Sequence, residues 1–181
     1  MPDTIRTLGE LNALFDDATI PTNQDIRDAF LSMLVHGVIG IIDNAVVQSV
    51  DTSYAGNEIV FPTELHARGV VANTVAGTLT TPAELTTAKY DIGWELNVQG
   101  QGNPNQGAFT VAVFKNGATK LNALERTFQI AGTEWEHVYC RVPGVTLAGG
   151  DTIQLAIISE SGTKDVLIVN GQLSCQRLGL E

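Results

Sequence analysis

The spacing of apolar residues changes once along the chain, from helical to alternating. In the first part, Leu8, Leu11, Leu14 and Phe15 recur at intervals that put them on one face of a predicted helix. Thr7 followed by Glu10 fits a capping box, the hydroxyl taking one free backbone N–H and the carboxylate reaching back to another. Beyond Pro21 a second helix is predicted, with Thr22 or Asn23 as N-cap and Asp25 and Asp28 near its first turn. Ile26, Phe30, Met33 and Leu34 share its apolar face, and Gly37 is the expected C-cap. Both helices are short and one-sided, so neither is stable alone. They either cover an open end of the domain that follows or dock on another protein.

From Val38 onward the period is two. Tyr90, Ile92, Trp94, Leu96 and Val98 alternate with Asp91, Gly93, Glu95 and Asn97, the pattern of a strand with one buried and one wet face. Further strands are predicted at Gly40 to Val47, Glu58 to Phe61, Gly69 to Val75, Phe109 to Phe114, Arg126 to Ala131, His137 to Val142, Thr152 to Ser159 and Val166 to Arg177. Strands at this short spacing with no helix between them predict an antiparallel sandwich or barrel. The chain therefore divides into a helical anchor at 1–37 and a β domain at 38–181.

Turn chemistry agrees with this reading. Asn116-Gly117 and Asn170-Gly171 are hairpin signals because both residue types tolerate positive φ, and Gly149-Gly150-Asp151 marks a sharp turn before Ile153, Leu155 and Ile157. Gln99 to Gly107, rich in Gln, Asn and Gly, reads as an exposed loop.

Composition narrows the function classes. The 181 residues suffice for one core and a small appendage. Only 17% are charged, so the surface is largely uncharged polar, as in a protein that packs against neighbours. A net charge of −10 repels phosphate backbones and anionic lipid, which argues against nucleic-acid and membrane partners. No secretion leader is expected at Met1 to Thr7, and no run of 18 apolar residues occurs. Cys140 and Cys175 are read as buried, reduced small hydrophobes, with a bridge between them as the alternative.

Candidate chemistry is sparse. His36, His66 and His137 fall in different predicted elements without metal-ligand spacing, His36 near a helix C-terminus and His137 on an outward strand position. Asp16-Asp17, Glu134 with Glu136, and Asp151 are the carboxylates worth weighing, yet no calcium loop, phosphate loop or nucleophile elbow is present. No catalytic, metal or cofactor residue is assigned, and the protein is read as a non-enzyme needing no cofactor. Trp94 lies in the apolar phase of its strand and is expected in the core. Trp135 shares its phase with His137, Tyr139 and Arg141; Trp135, Tyr139 and Arg141 form a stripe suited to a subunit interface.

Two resemblances give these features a context. The runs YDIGWELNV, FTVAVFKNG, VTLAGGDTIQLAI and NGQLSCQRL, between Lys89 and Leu178, resemble the trimeric jelly rolls of the complement and tumour-necrosis-factor type. There a strand ending in Lys-Asn-Gly is followed by a Leu-x-x-Gly-Asp turn into an apolar strand. The resemblance implies a mainly β fold, an antiparallel jelly-roll sandwich behind the helical segment, and a homotrimer. The N-terminal TIPTNQDIRDAFLSML, through Asp25, Ile26, Arg27 and Asp28, resembles the opening helix of tailed-phage virion proteins. That resemblance implies a bacteriophage structural protein that decorates or cements a capsid and assembles in the host cytoplasm. Leu8, Leu11, Leu14, Phe15, Ile26, Phe30, Met33 and Leu34 would be its anchor to the major capsid protein or another virion protein. The alternatives are a fibre or receptor-binding head that recognises host surface glycans, and a sugar-binding module of a cellular protein.

Overall fold

The structure, a computed structural model, describes residues 35–42, 45–102 and 106–178. The expected helices, with their anchor candidates from Leu8 to Leu34, lie outside the described residues. Among the described residues twelve strands follow one another: β1 His36–Ile41, β2 Val46–Val50, β3 Thr63–Arg68, β4 Val71–Asn73, β5 Thr78–Thr80, β6 Thr87–Gly100, β7 Gly107–Lys115, β8 Thr119–Lys120, β9 Arg126–Ile130, β10 Trp135–Ala148, β11 Thr152–Ser159 and β12 Lys164–Arg177.

They form two antiparallel sheets. The first has the order β10-β6-β12-β1-β3, with β2 also paired to β12; the second has the order β4-β5-β11-β7-β8, with β9 also paired to β7. The chain crosses between sheets repeatedly, so the C-terminal β12 lies at the centre of the first, between β6 and β1. This is the jelly-roll sandwich expected from the sequence.

Alternation decides which side faces in. Tyr90, Ile92, Trp94, Leu96 and Val98 of β6 are all buried, and they meet Phe109, Val111 and Val113 of β7 and Ile153, Leu155 and Ile157 of β11 in one cluster. Each such side chain contributes about 1.5–3 kcal/mol of burial. The Trp94 indole, as expected, is in the core, where Nε1–H donates to the Leu124 carbonyl at 3.0 Å.

Several expectations change. His36 and Gly37, read as a helix end, pair in register with Gln176 and Cys175 inside β1, and Val35 before them is already in the core. The sheet therefore starts earlier than residue 38. The stretch 40–47 breaks into β1 and β2, while 58–61 makes a single bridge, Glu58 to Ala156, in place of a strand. Asn116-Gly117 is the expected turn, with φ of 53° and 67°. Asn170-Gly171 is not a turn: it continues β12 through a bulge. A Cβ on Gly171 would lie 2.6 Å from the Leu96 Cδ2, so that glycine answers to packing rather than to backbone reversal. Cys140 and Cys175 are buried and unbridged.

Candidate functional site

The outer face of the first sheet collects the residues that sequence reading set aside. Because register is antiparallel throughout, its rows can be followed across strands. One row runs Val47, Leu167, Gln99, Trp135 from β2 to β10. The next rows run Asn170, Asn97, His137, then Gln172, Glu95, Tyr139. Val38, Ser174, Gly93 and Arg141 form another, and His36, Gln176 and Asp91 the one beyond.

Large apolar side chains stand open here. Trp135 is 53% exposed, Tyr139 68% and Val47 60%, with Leu65 beside Gly40 at the β1 side. Single exposed apolar residues mean little, but several on one sheet face mark an interaction surface. A depression of about 530 Å³ opens in the middle, lined by His36, Asp91, Glu95, Tyr139, Arg141 and Gln176 among others. Its floor is low because Gly93 carries no side chain; a Cβ there would approach the Ser174 Oγ to 3.1 Å.

The charges on this face are balanced. Following the alternation of each strand, the carboxylates are Asp91, Glu95 and Asp165, and the cations are Arg68, Lys89 and Arg141. The face is formally neutral in a chain of net charge −10. Arg141 closes onto Asp91 across β10 and β6, its Nε donating to both carboxylate oxygens at 3.0 and 2.9 Å and Nη2 to Oδ2 at 2.5 Å. Those hydrogen bonds raise the Arg141 pKa, while the Asp91 side chain is only 11% exposed. Beneath the face, burial pushes the Cys175 thiol up to about 12 and the Cys140 thiol upward as well, so neither is an activated nucleophile.

Trp135, Tyr139 and Arg141 thus lie together on one outward surface, as their shared phase implied. Sequence reading missed the histidines. His36 and His66 sit on neighbouring strands with ring centroids 4.4 Å apart, and His137 on the same face stands 3.9 Å from Glu95. Their common side follows from the pairing of β1 with β3 and β12, which no local pattern reveals.

The outer side of the second sheet has a smaller depression of about 260 Å³, lined by Tyr54, Glu58, Phe114 and Gln154 among others. Tyr54 and Phe114 approach at 4.8 Å between ring centroids, and the Tyr54 hydroxyl donates to Glu125, which also accepts from Lys120 at 2.8 Å. The Lys120 contact holds the Glu125 carboxyl below its ordinary range. Among the described residues no three His, Cys, Asp or Glu side chains are placed to hold a metal ion, and no helix is long and apolar enough to cross a membrane.

No protein-family model matches the chain, and no curated protein matches its sequence. Among solved structures, it is similar to Eiger TNF from S. frugiperda, with a TM-score of 0.60, 7% identity, and coverage of 82% of this chain and 94% of that one. Murine APRIL, crystallised at pH 5.0, matches with a TM-score of 0.47 and 13% identity over 76% of this chain and 98% of that one. At such identities the likeness to Eiger establishes the fold, a TNF-like jelly roll.

Proposed function

We propose that this chain is a non-catalytic structural subunit that assembles as a homotrimer through the outer face of its first sheet. The observation that carries this is the face itself: exposed Trp135, Tyr139 and Val47 on a formally neutral surface of a strongly acidic chain. Copies of a −10 chain repel each other overall, a charge-balanced face opposes assembly least, and Trp, Tyr and Arg are enriched where interfaces form. The jelly rolls that the sequence resembles are trimers, and an outward apolar sheet face packed around a threefold axis closes the assembly. Residues 1–34 then tether the trimer to a larger particle. On the strength of Asp25-Ile26-Arg27-Asp28, that particle is a tailed-phage virion, whose capsid the trimer decorates or cements.

Tyr139→Glu tests the assembly. The side chain points away from the core, so the fold should survive by circular dichroism. A charge placed in a closing interface lacks a partner and costs several kcal/mol on the order of a buried unpaired group. The variant should be monomeric at micromolar concentration; a Tyr139→Glu trimer would remove this face from the interface.

A second reading, recognition of host surface glycans, is favoured by the smaller depression, where the Tyr54 and Phe114 rings adjoin the polar Glu58 and Gln154. Rings beside carboxylate and amide groups suit a saccharide. On that reading Tyr54→Ala abolishes binding of cognate glycans on an array without altering assembly; an unchanged binding profile would count against it.

A further inference from the structure

The geometry points to a narrower ligand class for the smaller depression on the second sheet: a saccharide bearing a protonated amino group, its ring against Tyr54 and Phe114 and its ammonium against Glu58. This rests on the glycan reading above and states which glycans the site selects.

The hollow follows from alternation. Gln154 and Ala156 occupy the outward phase of β11, and Phe114 of β7 is in register with Gln154. Because Ala156 is short, space remains between the Phe114 ring and the segment that covers the strand. That segment is fixed to β11. Glu58 bridges to Ala156, the Ile59 N–H donates to the Leu155 carbonyl at 2.8 Å, and the Ile157 N–H donates to the Asn57 carbonyl at 3.1 Å. The loop before it closes on itself. Asn57 Nδ2 donates to Asp51 Oδ1 at 2.9 Å and to the Ser53 carbonyl at 2.6 Å, while the Tyr54 hydroxyl donates to Glu125 at 3.1 Å. Rings and carboxylate are therefore in place before a ligand arrives, which reduces the ordering cost of binding.

Charge separates an amino sugar from a neutral one. The half-buried Glu58 carboxylate has no hydrogen-bond or ion-pair partner among the described residues. Gln154 Nε2 already donates to the Ala76 carbonyl at 2.7 Å. The cation nearby is engaged too: Lys120, 5.7 Å from the Tyr54 ring centroid, pairs with Glu125 at 2.8 Å. An uncompensated carboxylate beside two aromatic rings, in a chain of net charge −10, favours a ligand that is positive and donates hydrogen bonds. An ammonium does both, and its hydrogen bond to a carboxylate is about twice as strong as a neutral one. The C–H face of the same sugar suits the negative faces of the rings.

Titration calorimetry of the full chain at low salt and about pH 6, where an amine is protonated, provides the test. The ligands are a glucosamine disaccharide and its N-acetylated form, in which the charge is gone. The amine should bind at least about ten-fold more tightly, the margin of one charge-assisted hydrogen bond. Glu58→Gln should bring the two affinities together with circular dichroism unchanged, whereas Glu84→Gln, which removes an exposed carboxylate elsewhere, should keep the difference. Tyr54→Ala should abolish binding of both. Equal affinities in the wild type overturn the amino-sugar assignment and leave the glycan reading standing. A difference that survives Glu58→Gln, or that Glu84→Gln removes, overturns it as well, since the acetyl group's bulk or the overall charge would then be the cause. If neither disaccharide binds but other glycans on an array do so through Tyr54, the amino-sugar assignment alone fails. If no glycan binds at all, both fail.

Discussion

A carboxylate that follows two glycines can hold a turn as well as end it, and Asp151 does so through three neighbours. It accepts from Asn116 Nδ2 at 2.7 Å and the Ala148 N–H at 2.8 Å, with Lys115 Nζ at 3.5 Å, while Asn116 accepts from the Thr152 N–H. Burial raises its pKa, but the hydrogen bonds from Asn116 and Ala148 and the charge of Lys115 outweigh this and hold it below the ordinary value. Asp151→Ala should lower stability by about 1–3 kcal/mol at pH 7. Since the folded-state value is depressed, this contribution is present above the unfolded carboxylate value of about 3.9 and fades as pH falls through the folded one. Chemical denaturation at pH 7 and pH 3 reads it: the gap between wild type and variant should narrow at pH 3, and an equal gap would show that packing alone is at work. The turn was legible in Gly149-Gly150-Asp151. Its partner Asn116 was not, because that contact joins two hairpins 35 residues apart.

At the scale of elements, the strands with unbroken alternation were readable, β6 above all, because one buried face imposes a strict period on the sequence. Misreadings occurred where that constraint fails. β3, TELHAR, was missed because an edge strand with mostly exposed side chains has no apolar phase to betray it. Asn170-Gly171 was taken for a hairpin because local turn propensity was read without the Leu96 side chain that presses on Gly171. The end of the second helix was placed at Gly37 because glycine is a common C-cap, whereas here Gly37 faces Val70 and Leu79, where a Cβ would lie 2.7 and 3.0 Å away. This changes how the anchor can be removed. Val35 is in the core and its carbonyl accepts from the Arg177 N–H at 2.9 Å. Deleting residues 1–33 should leave a folded trimer that no longer binds its particle. Deleting residues 1–37 should cost several kcal/mol more, since it removes Val35 and two ladder positions of β1. Thermal melts and a pull-down with intact particles separate these outcomes, and a 1–33 deletion that still binds would remove the anchor role from that segment.

For the whole molecule, the sequence carried the fold class and the outward stripe of Trp135, Tyr139 and Arg141. It did not carry the breadth of the surface around them. That surface draws on β1, β2, β3, β6, β10 and β12, and only the long-range order of the first sheet brings these together. The charge map has the same origin: a net charge of −10 is visible at once, but the neutrality of one face appears only after register is known. A neutral, aromatic face on an acidic subunit accounts for why copies should meet there. The most direct measurement is the mass of the full chain in solution, by light scattering at micromolar concentration and neutral pH. The account predicts a species of about three times 19.3 kDa that Tyr139→Glu converts to a monomer. A wild-type mass of one chain under those conditions would contradict it.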